Sequence, residues 1–199
     1  MQRLFALRLR LYPTAVQLAL MQCIAGCCRV VYNTGLDQRR WFARPGQSIS
    51  YARQAGELQE FKEAFPWLSE APHHCLQQSL VDLEKAYKNF WAGRSGAPQR
   101  KKKGVGDSFR FPDPAQVMLQ GDLKVPDKKR TRANCQASLK LPKLGLVKCV
   151  LHRSVPAGAV VKSVTVARDG AHWYASVLIE HEVEKPASRA DQAVVGIDL

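Results

Sequence analysis

Two structural periods meet in residues 4–17, which read Leu4-Phe5-Ala6-Leu7-Arg8-Leu9-Arg10-Leu11-Tyr12-Pro13-Thr14-Ala15-Val16-Gln17. Up to residue 12 the apolar residues alternate with others, which predicts a half-buried strand whose outer face carries Arg8, Arg10 and Tyr12. Thr14 and Gln17 then have the spacing of a capping box, which is typical of the start of a helix. A lone strand is not stable, so this one must pair with strands later in the chain.

Helical patterns fill the next part of the chain. Apolar residues at helical spacing predict a helix over 15–42 that ends before Pro45-Gly46, and a second, weaker helix over 50–64. The clearest helix is predicted over 72–92, because Pro72 suits its first turn and Gly93 suits its end. Its apolar stripe consists of Leu76, Leu80, Leu83, Tyr87 and Phe90.

Short β-like runs follow Gly93, at residues 108–111, 117–119, 123–125, 139–141, 146–151, 160–168 and 172–180. Asp169-Gly170 predicts a turn between the last two runs, and Gly121-Asp122 allows a hairpin. Residues 126–138 look like a basic loop inserted between strands. Residues 184–192 are polar and contain Pro186, as a linker does.

These patterns predict an α+β fold in which a helical insert splits a small β-barrel. Residues 1–13 would supply the first barrel strand, residues 14–93 the helical insert, and residues 94–183 the rest of the barrel with its basic loops. Residues 184–192 would then lead into residues 193–199, the start of another domain. Val194-Val195-Gly196-Ile197-Asp198-Leu199 is apolar on both faces, which predicts a buried strand that ends in an acid.

The charge of the chain points to a polyanionic partner. The 199 residues carry a net charge of +13 and a pI near 9.7, with +3 in residues 1–12 and +7 in residues 94–132. Nucleic acid is the first candidate. An anionic membrane surface is the second, although the sequence shows no long apolar span, no dominant basic amphipathic helix and no signal peptide.

Cysteine and histidine patterns favour no catalytic or metal site. The six cysteines form no Cys-x-x-Cys pair, which argues against zinc. Cys23 and Cys27 lie one helical turn apart and could chelate a metal, but small core residues of a reduced cytosolic protein explain them as well. The histidines fit no acid–nucleophile arrangement.

Eight motifs in a fixed order resemble one family. They are Arg8-Leu9-Arg10-Leu11-Tyr12-Pro13, Cys28-Arg29-Val30-Val31-Tyr32-Asn33, Phe65-Pro66-Trp67-Leu68, Leu76-Gln77-Gln78-Ser79-Leu80-Val81-Asp82-Leu83 with Ala86-Tyr87-Lys88-Asn89-Phe90-Trp91, Asp107-Ser108-Phe109-Arg110-Phe111-Pro112, Leu141-Pro142-Lys143-Leu144-Gly145, Ser163-Val164-Thr165-Val166 and Val195-Gly196-Ile197-Asp198-Leu199. Together they resemble the N-terminal half of TnpB-type (OrfB) transposon proteins, which are compact RNA-guided DNA endonucleases of insertion sequences.

The resemblance implies a fold and a cofactor. The barrel would be an oligonucleotide-binding-like wedge domain, the insert a recognition domain, and residues 193–199 the first strand of an RNase-H-like (RuvC) nuclease domain. Asp198 would be the first of several acids that hold Mg²⁺ or Mn²⁺. A buried strand that runs into a solvated turn is the alternative for Asp198. One carboxylate does not hold two metal ions, so these residues alone are not expected to cut DNA.

The resemblance also implies partners: a guide RNA that reads sequence, and duplex DNA with a short target-adjacent motif, in a bacterial cytoplasm near the nucleoid. Glutamine suits adenine edges, so Gln77 and Gln78 are candidates for DNA contact, and Tyr51 and Asn89 are weaker ones. Lys85 and Lys88 are further candidates for nucleic-acid binding. Arg8, Arg10, Tyr12, Arg29 and Asn33 would contact the nucleic-acid backbone. Ordinary solvated surface is the alternative for each.

The basic run Arg100-Lys101-Lys102-Lys103 is predicted to touch phosphates without reading sequence. Arg110 is predicted to face nucleic acid, since Phe109 and Phe111 on either side of it suit the core. Two other functions stay open at this point. One is a stand-alone DNA-binding protein or regulator that needs no RNA; the other is a basic protein associated with ribosomes or RNA.

Overall fold

The computed structural model describes residues 2–42, 49–121 and 136–182, which form a seven-stranded antiparallel sheet and a set of helices. The strands are β1 (Gln2–Tyr12), β2 (Ser108–Phe111), β3 (Met118–Gly121), β4 (Gln136–Leu141), β5 (Gly145–Val150), β6 (Val160–Asp169) and β7 (His172–Glu182). The helices are α1 (Ala15–Phe42), α2 (Tyr51–Gly56), α3 (Leu58–Ala64) and α4 (His73–Trp91). Between α3 and α4 lies a short 3-10 turn, Pro66–Glu70.

The capping box forms as predicted and sets the start of α1. The backbone N–H of Gln17 donates to Thr14 Oγ1 at 3.3 Å, and the N–H of Thr14 donates to Gln17 Oε1 at 3.0 Å. The side-chain Nε2 of Gln17 also donates to the backbone carbonyl oxygens of Leu144 and Leu146, at 3.0 and 2.9 Å. The same residue therefore begins the helix and fastens it to the turn between β4 and β5.

The prediction that the chain has no long apolar span was wrong. By length and composition, α1 is apolar enough to cross a membrane. In the folded chain, however, its apolar side is buried, with Met21, Ile24 and Leu36 fully enclosed. Such burial is what a core helix requires, and no membrane is needed to explain it.

The other two predicted helices are confirmed with one change. The segment 50–64 is divided at Glu57 into α2 and α3, and Ser50 caps α2 by accepting from the N–H of Arg53. Helix α4 lies within one residue of the predicted bounds and is followed by Gly93, whose φ of 70° lies in the left-handed region that ends helices.

The insert is built on α1 and α4, which run parallel to each other. Cys28 donates to the carbonyl of Cys75, Gly35 packs under Leu80, and Arg39 pairs with Glu84, so contacts advance along both helices together. The C-terminal ends of the two helices therefore lie at the same end of the insert.

Most of the predicted strands are confirmed. β2 has the predicted bounds, and β6 and β7 pair on either side of a turn in which Gly170 has a φ of 57°. β3 begins one residue later than predicted. Residues 136–138 were expected in a loop, but they belong to β4 because they pair with β5. The predicted run 123–125, the Gly121-Asp122 hairpin, and residues 184–199 lie wholly or partly outside the described residues.

The strand order requires a strongly curved sheet. The order is β2-β6-β7-β1-β5-β4-β3, so β2 and β3 are neighbours in the chain but occupy opposite edges. At a strand spacing of about 4.8 Å, the edges of a flat seven-stranded sheet lie about 29 Å apart. Residues 112–117 would reach only about 24 Å if fully extended, and they include the 3-10 turn Pro114–Gln116. The edges must therefore curl towards each other.

Candidate nucleic-acid interface

Strand register places a row of polar side chains across four neighbouring strands. Arg110 in β2 lies opposite Thr165 in β6, Thr165 lies opposite Ser176 in β7, and Ser176 lies opposite Arg8 in β1. Directly opposed residues point to the same side of a sheet. Alternate residues such as Val166, Ala175 and Leu9 are buried, so the row lies on the opposite, outer face.

Aromatic and basic side chains alternate on this outer face. The Arg8 guanidinium lies 4.3 Å from the centre of the Tyr174 ring, and the Arg10 guanidinium lies 5.3 Å from the centre of the Tyr12 ring. Arg8 also pairs with Asp169 at 2.5 Å, where both side chains are mostly exposed. We call Arg8, Arg10, Tyr12, Arg110, Thr165, Tyr174 and Ser176 the basic face.

Gln78, Lys101 and Arg110 are brought together at one end of the basic face. They line a small cleft between α4 and β2, together with Asp82 and Thr165. Arg110 donates to Thr165 Oγ1 at 3.3 Å and lies 3.8 Å from Asp82 Oδ1. The hydrogen bond to Thr165 is long, and the Asp82 side chain is 37% exposed and distant. The guanidinium can therefore exchange both partners for a phosphate at modest cost.

Arg29 and Asn33 are held in internal contacts. Arg29 forms an ion pair with Asp107 at 2.7 Å, in which both side chains are largely buried. Asn33 donates to the carbonyl of Lys101 at 3.1 Å and accepts from its N–H at 2.8 Å. These contacts fasten the segment that follows α4 onto α1, so the two residues fix the position of the neighbouring basic run in this structure.

The four residues of the basic run, 100–103, differ in their contacts and exposure. Arg100 pairs with Asp37 at 2.6 Å, and the Lys101 ammonium lies 4.3 Å from the centre of the Tyr32 ring. Lys102 and Lys103 are exposed. A run that is fastened at its first two residues and exposed at the next two keeps its charge close to the cleft.

Comparison with known proteins identifies the family of the chain. Residues 1–47 match a model described as a helix-turn-helix domain, that of OrfB proteins (HTH_OrfB_IS605). The chain is 36% identical over 201 residues to an Escherichia coli (strain K12) protein and 34% identical over 199 residues to a Streptomyces pristinaespiralis protein. Both carry the name "Putative RNA-guided DNA endonuclease", the first with the designation InsQ.

The chain belongs to the TnpB-type (OrfB) family. The alignments cover 100% and 97% of the chain but 46% and 45% of the two relatives, so it spans about half the length of these family members. The helix-turn-helix description fits the described part of the match only loosely, because residues 2–42 form the strand β1 and the single helix α1.

The remaining polar candidates of this TnpB-type chain lie on the insert. Gln77 is half-buried on α4, and Lys85, Lys88 and Asn89 are exposed on it. Lys88 lies 3.6 Å from Glu84. Tyr51 is partly buried and packs against the core.

Metal-binding side chains are not gathered in the described part of this TnpB-type chain. Residues 2–42, 49–121 and 136–182 contain no group of three or more His, Cys, Asp or Glu side chains that could hold an ion. Asp198 lies outside these ranges. Cys23 and Cys27 have their sulfurs 4.0 Å apart, and Cys23 Sγ lies 3.0 Å from Glu70 Oε2. Burial raises the pKa of the Cys23 thiol to about 12, with the hydrogen bond to Glu70 adding to the effect.

Tyr174, Thr165 and Ser176 were missed as candidates for the interface. Each alternates with buried residues in β6 or β7, and this pattern marks an outer face. The pattern gives no information on which strand lies beside β1. Only the pairing of β7 with β1 places Tyr174 next to Arg8 and Arg10.

Proposed function

We propose that this chain is the nucleic-acid-binding part of an RNA-guided DNA endonuclease of an insertion sequence. The proposal extends to this chain what the names of its two relatives say of them. The observation that carries it is the basic face, since guanidinium groups beside aromatic rings on a sheet suit phosphate contact and base stacking. Its partners would be a guide RNA and duplex DNA with a short target-adjacent motif.

We further propose that the curved sheet is an oligonucleotide-binding-like barrel with the helices as a recognition insert. The curl required by the short connection 112–117 supports a barrel. In this arrangement the cleft that holds Gln78, Lys101 and Arg110 lies at the junction of insert and barrel. A nucleic-acid strand that follows the basic face would enter this cleft, where the Gln78 amide can pair with a base edge.

Cleavage would need more than the acid in this chain. In the proposed RuvC-like domain, Asp198 would supply one carboxylate to bind Mg²⁺ or Mn²⁺, and further acids would complete the site. When bound, the metal would activate water for attack on a phosphodiester. We therefore expect these 199 residues alone to bind nucleic acid without cutting it.

The decisive experiment measures RNA binding by the full 199-residue chain. The double substitution Arg8→Gln/Arg10→Gln should weaken binding of a TnpB-type guide RNA at least tenfold in a fluorescence anisotropy titration. Arg53→Gln is the matched control, because it removes an exposed arginine from α2, away from the basic face. Equal affinities for the double variant and the control would refute the role of the basic face.

A stand-alone DNA-binding protein is the second candidate. The helix-turn-helix description of the model that residues 1–47 match favours it, whereas the single helix α1 in the described part of that match weighs against it. Treatment with RNase separates the two functions. A sequence-specific DNase footprint that survives RNase would favour the second candidate. A DNA footprint that depends on added guide RNA would favour the guided function.

A further inference from the structure

Exposed aromatic side chains are concentrated at one end of the helical insert. Trp41 and Phe42 end α1, with 80% and 67% of their surface exposed. Phe90 and Trp91 end α4, with 39% and 63% exposed. Because the two helices run parallel, these residues share one end of the molecule, which we call the aromatic end. Four of the six large aromatics exposed in the described residues lie there.

Contacts between the helices hold the two halves of the aromatic end together. The ring centres of Tyr87 and Trp91 are 5.3 Å apart, and the Arg39 guanidinium of α1 lies 5.2 Å from the centre of the Tyr87 ring. Arg39 is also bound to Glu84 at 2.8 Å. Arg39 and Tyr87 therefore hold the last part of α1 against the last part of α4.

Basic residues surround the aromatic rings. Arg40 precedes Trp41, Lys88 precedes Phe90 by two positions, and Arg94 follows Trp91 by three. The nearby acids Asp37 and Glu84 are paired with Arg100 and Arg39, at 2.6 and 2.8 Å, and Glu84 also lies 3.6 Å from Lys88, so the cations outnumber the acids. The aromatic end thus combines large flat rings with an excess of positive charge.

We propose that the aromatic end binds unpaired bases of a single-stranded nucleic acid, by stacking on Trp41 and Trp91. Such sites need accessible aromatic faces and cations that follow the phosphates, and both are present here. A second copy of the chain fits less well, since it would bring Arg40, Lys88 and Arg94 against their own counterparts in a protein of net charge +13. The inference takes its class of ligand from the proposed function, but its residues are separate from the basic face.

The test compares two 12-nucleotide ligands that carry the same phosphates. One is oligothymidine, and the other is an abasic strand of equal length. Trp41→Ala/Trp91→Ala should weaken binding of oligothymidine at least fivefold and change the affinity for the abasic strand less than twofold. Oligothymidine should also quench tryptophan fluorescence in the parent protein, and this quenching should be largely lost in the double variant.

Trp67→Ala is the matched control, because Trp67 is 44% exposed but lies in the 3-10 turn before α4. It should leave both affinities unchanged, and urea unfolding should show that all variants are folded. Equal loss for both ligands, or no loss, would overturn the inference. So would a dimer in sedimentation that the double variant dissociates while oligothymidine affinity stays the same. The basic-face variants are read with guide RNA, so failure here is distinguishable from failure of the proposed function.

Discussion

At the scale of single residues, Arg39 is the most constrained charge in the described chain. Its side chain is 4% exposed, it donates to Gln54 Oε1 at 2.9 Å, and it pairs with Glu84. Its Nη2 is buried without a hydrogen-bond partner among the described residues. Removing one partner of a buried pair costs more than the pair contributes, because the other charge is left uncompensated.

We therefore expect Arg39→Ala to lower the free energy of unfolding by about 2 kcal/mol or more in urea titrations. Arg53→Ala removes another Arg–Glu pair, with Glu57 at 3.0 Å, but that arginine side chain is 70% exposed. Its loss should stay below about 0.5 kcal/mol. Similar losses in the two variants would show that the buried network does not hold the helices together.

Cys23 gives a second prediction at this scale. Burial and the hydrogen bond to Glu70 keep the thiol protonated, since both raise its pKa from an ordinary 9.0 to about 12. Glu70→Gln should lower that pKa and speed the reaction of Cys23 with a thiol reagent at pH 8 severalfold. Glu63→Gln, an exposed acid of α3, is the control. An unchanged rate in Glu70→Gln would mean that burial alone protects the thiol.

The raised thiol pKa values also predict the direction in which the stability of the fold changes with pH. Burial raises the pKa of Cys28 and of Cys149 to about 11. Unfolded thiols ionise near 9.0, so the stabilisation is fully present below that pH and is lost as the pH rises towards 11–12. The midpoint of urea unfolding should therefore fall above pH 9, and less so in Cys149→Ala. A midpoint that is flat across this range would contradict the assignment.

At the scale of elements, Gly35 sets how closely α1 approaches its neighbours. A Cβ at this position would lie 3.0 Å from Leu80 Cδ2 and 3.1 Å from both Gln54 Nε2 and Leu83 Cδ2. Gln54 has little freedom to move, because its Nε2 already donates to the carbonyl of Gly35 at 2.8 Å.

Gly35→Ala should therefore destabilise the protein by about 1–2 kcal/mol, since overpacking outweighs the better helix propensity of alanine. Gly26→Ala is the matched control in the same helix, where the nearest atom to a new Cβ is 3.7 Å away. There alanine should stabilise by about 0.5–1 kcal/mol. The two changes in thermal midpoint should have opposite signs, and equal signs would contradict the close approach.

Local elements could be predicted from the sequence because their causes are local. The capping box at Thr14 and the apolar pattern after it predict a helix from about residue 15 to 42, and the described helix is α1, Ala15–Phe42. The break at Glu57 was missed, because the apolar pattern runs through it. The partners of β1 could not be predicted in this way. Its pairing with β7 and β5 joins residues more than a hundred positions apart, and no local sequence pattern indicates which distant strands will pair.

In the candidate site, too, the features with local causes could be predicted from the sequence, and the contacts between distant residues could not. Arg8, Arg10 and Tyr12 were found from one strand, whose alternation marks the outer face. Arg29 looked equally available, yet it pairs with Asp107, 78 positions away. Charge patterns show which residues are polar, but only the packing of α1 against the segment after α4 shows which of them are already used.

At the scale of the whole molecule, positive charge should make affinity for nucleic acid strongly dependent on salt. Each phosphate contact releases counterions, so the slope of log affinity against log salt counts the contacts, at about 0.7 per contact for a single strand. Lys102 and Lys103 are exposed beside the cleft, and the residue before them, Lys101, is held in place because its backbone N–H donates to Asn33 Oδ1. They should therefore act as phosphate contacts that read no sequence.

Lys102→Gln/Lys103→Gln should flatten the salt slope for RNA by about 1.4 and weaken binding equally for RNAs of different sequence. Lys62→Gln in α3 should leave the slope unchanged, although it removes charge from the same protein. The measurement is an anisotropy titration at several salt concentrations with two unrelated RNAs. If Lys62→Gln flattened the slope as much per charge, affinity would follow net charge alone, and the placement of the basic run beside the cleft would not matter. If only one RNA lost affinity, the lysines would contact bases rather than phosphates.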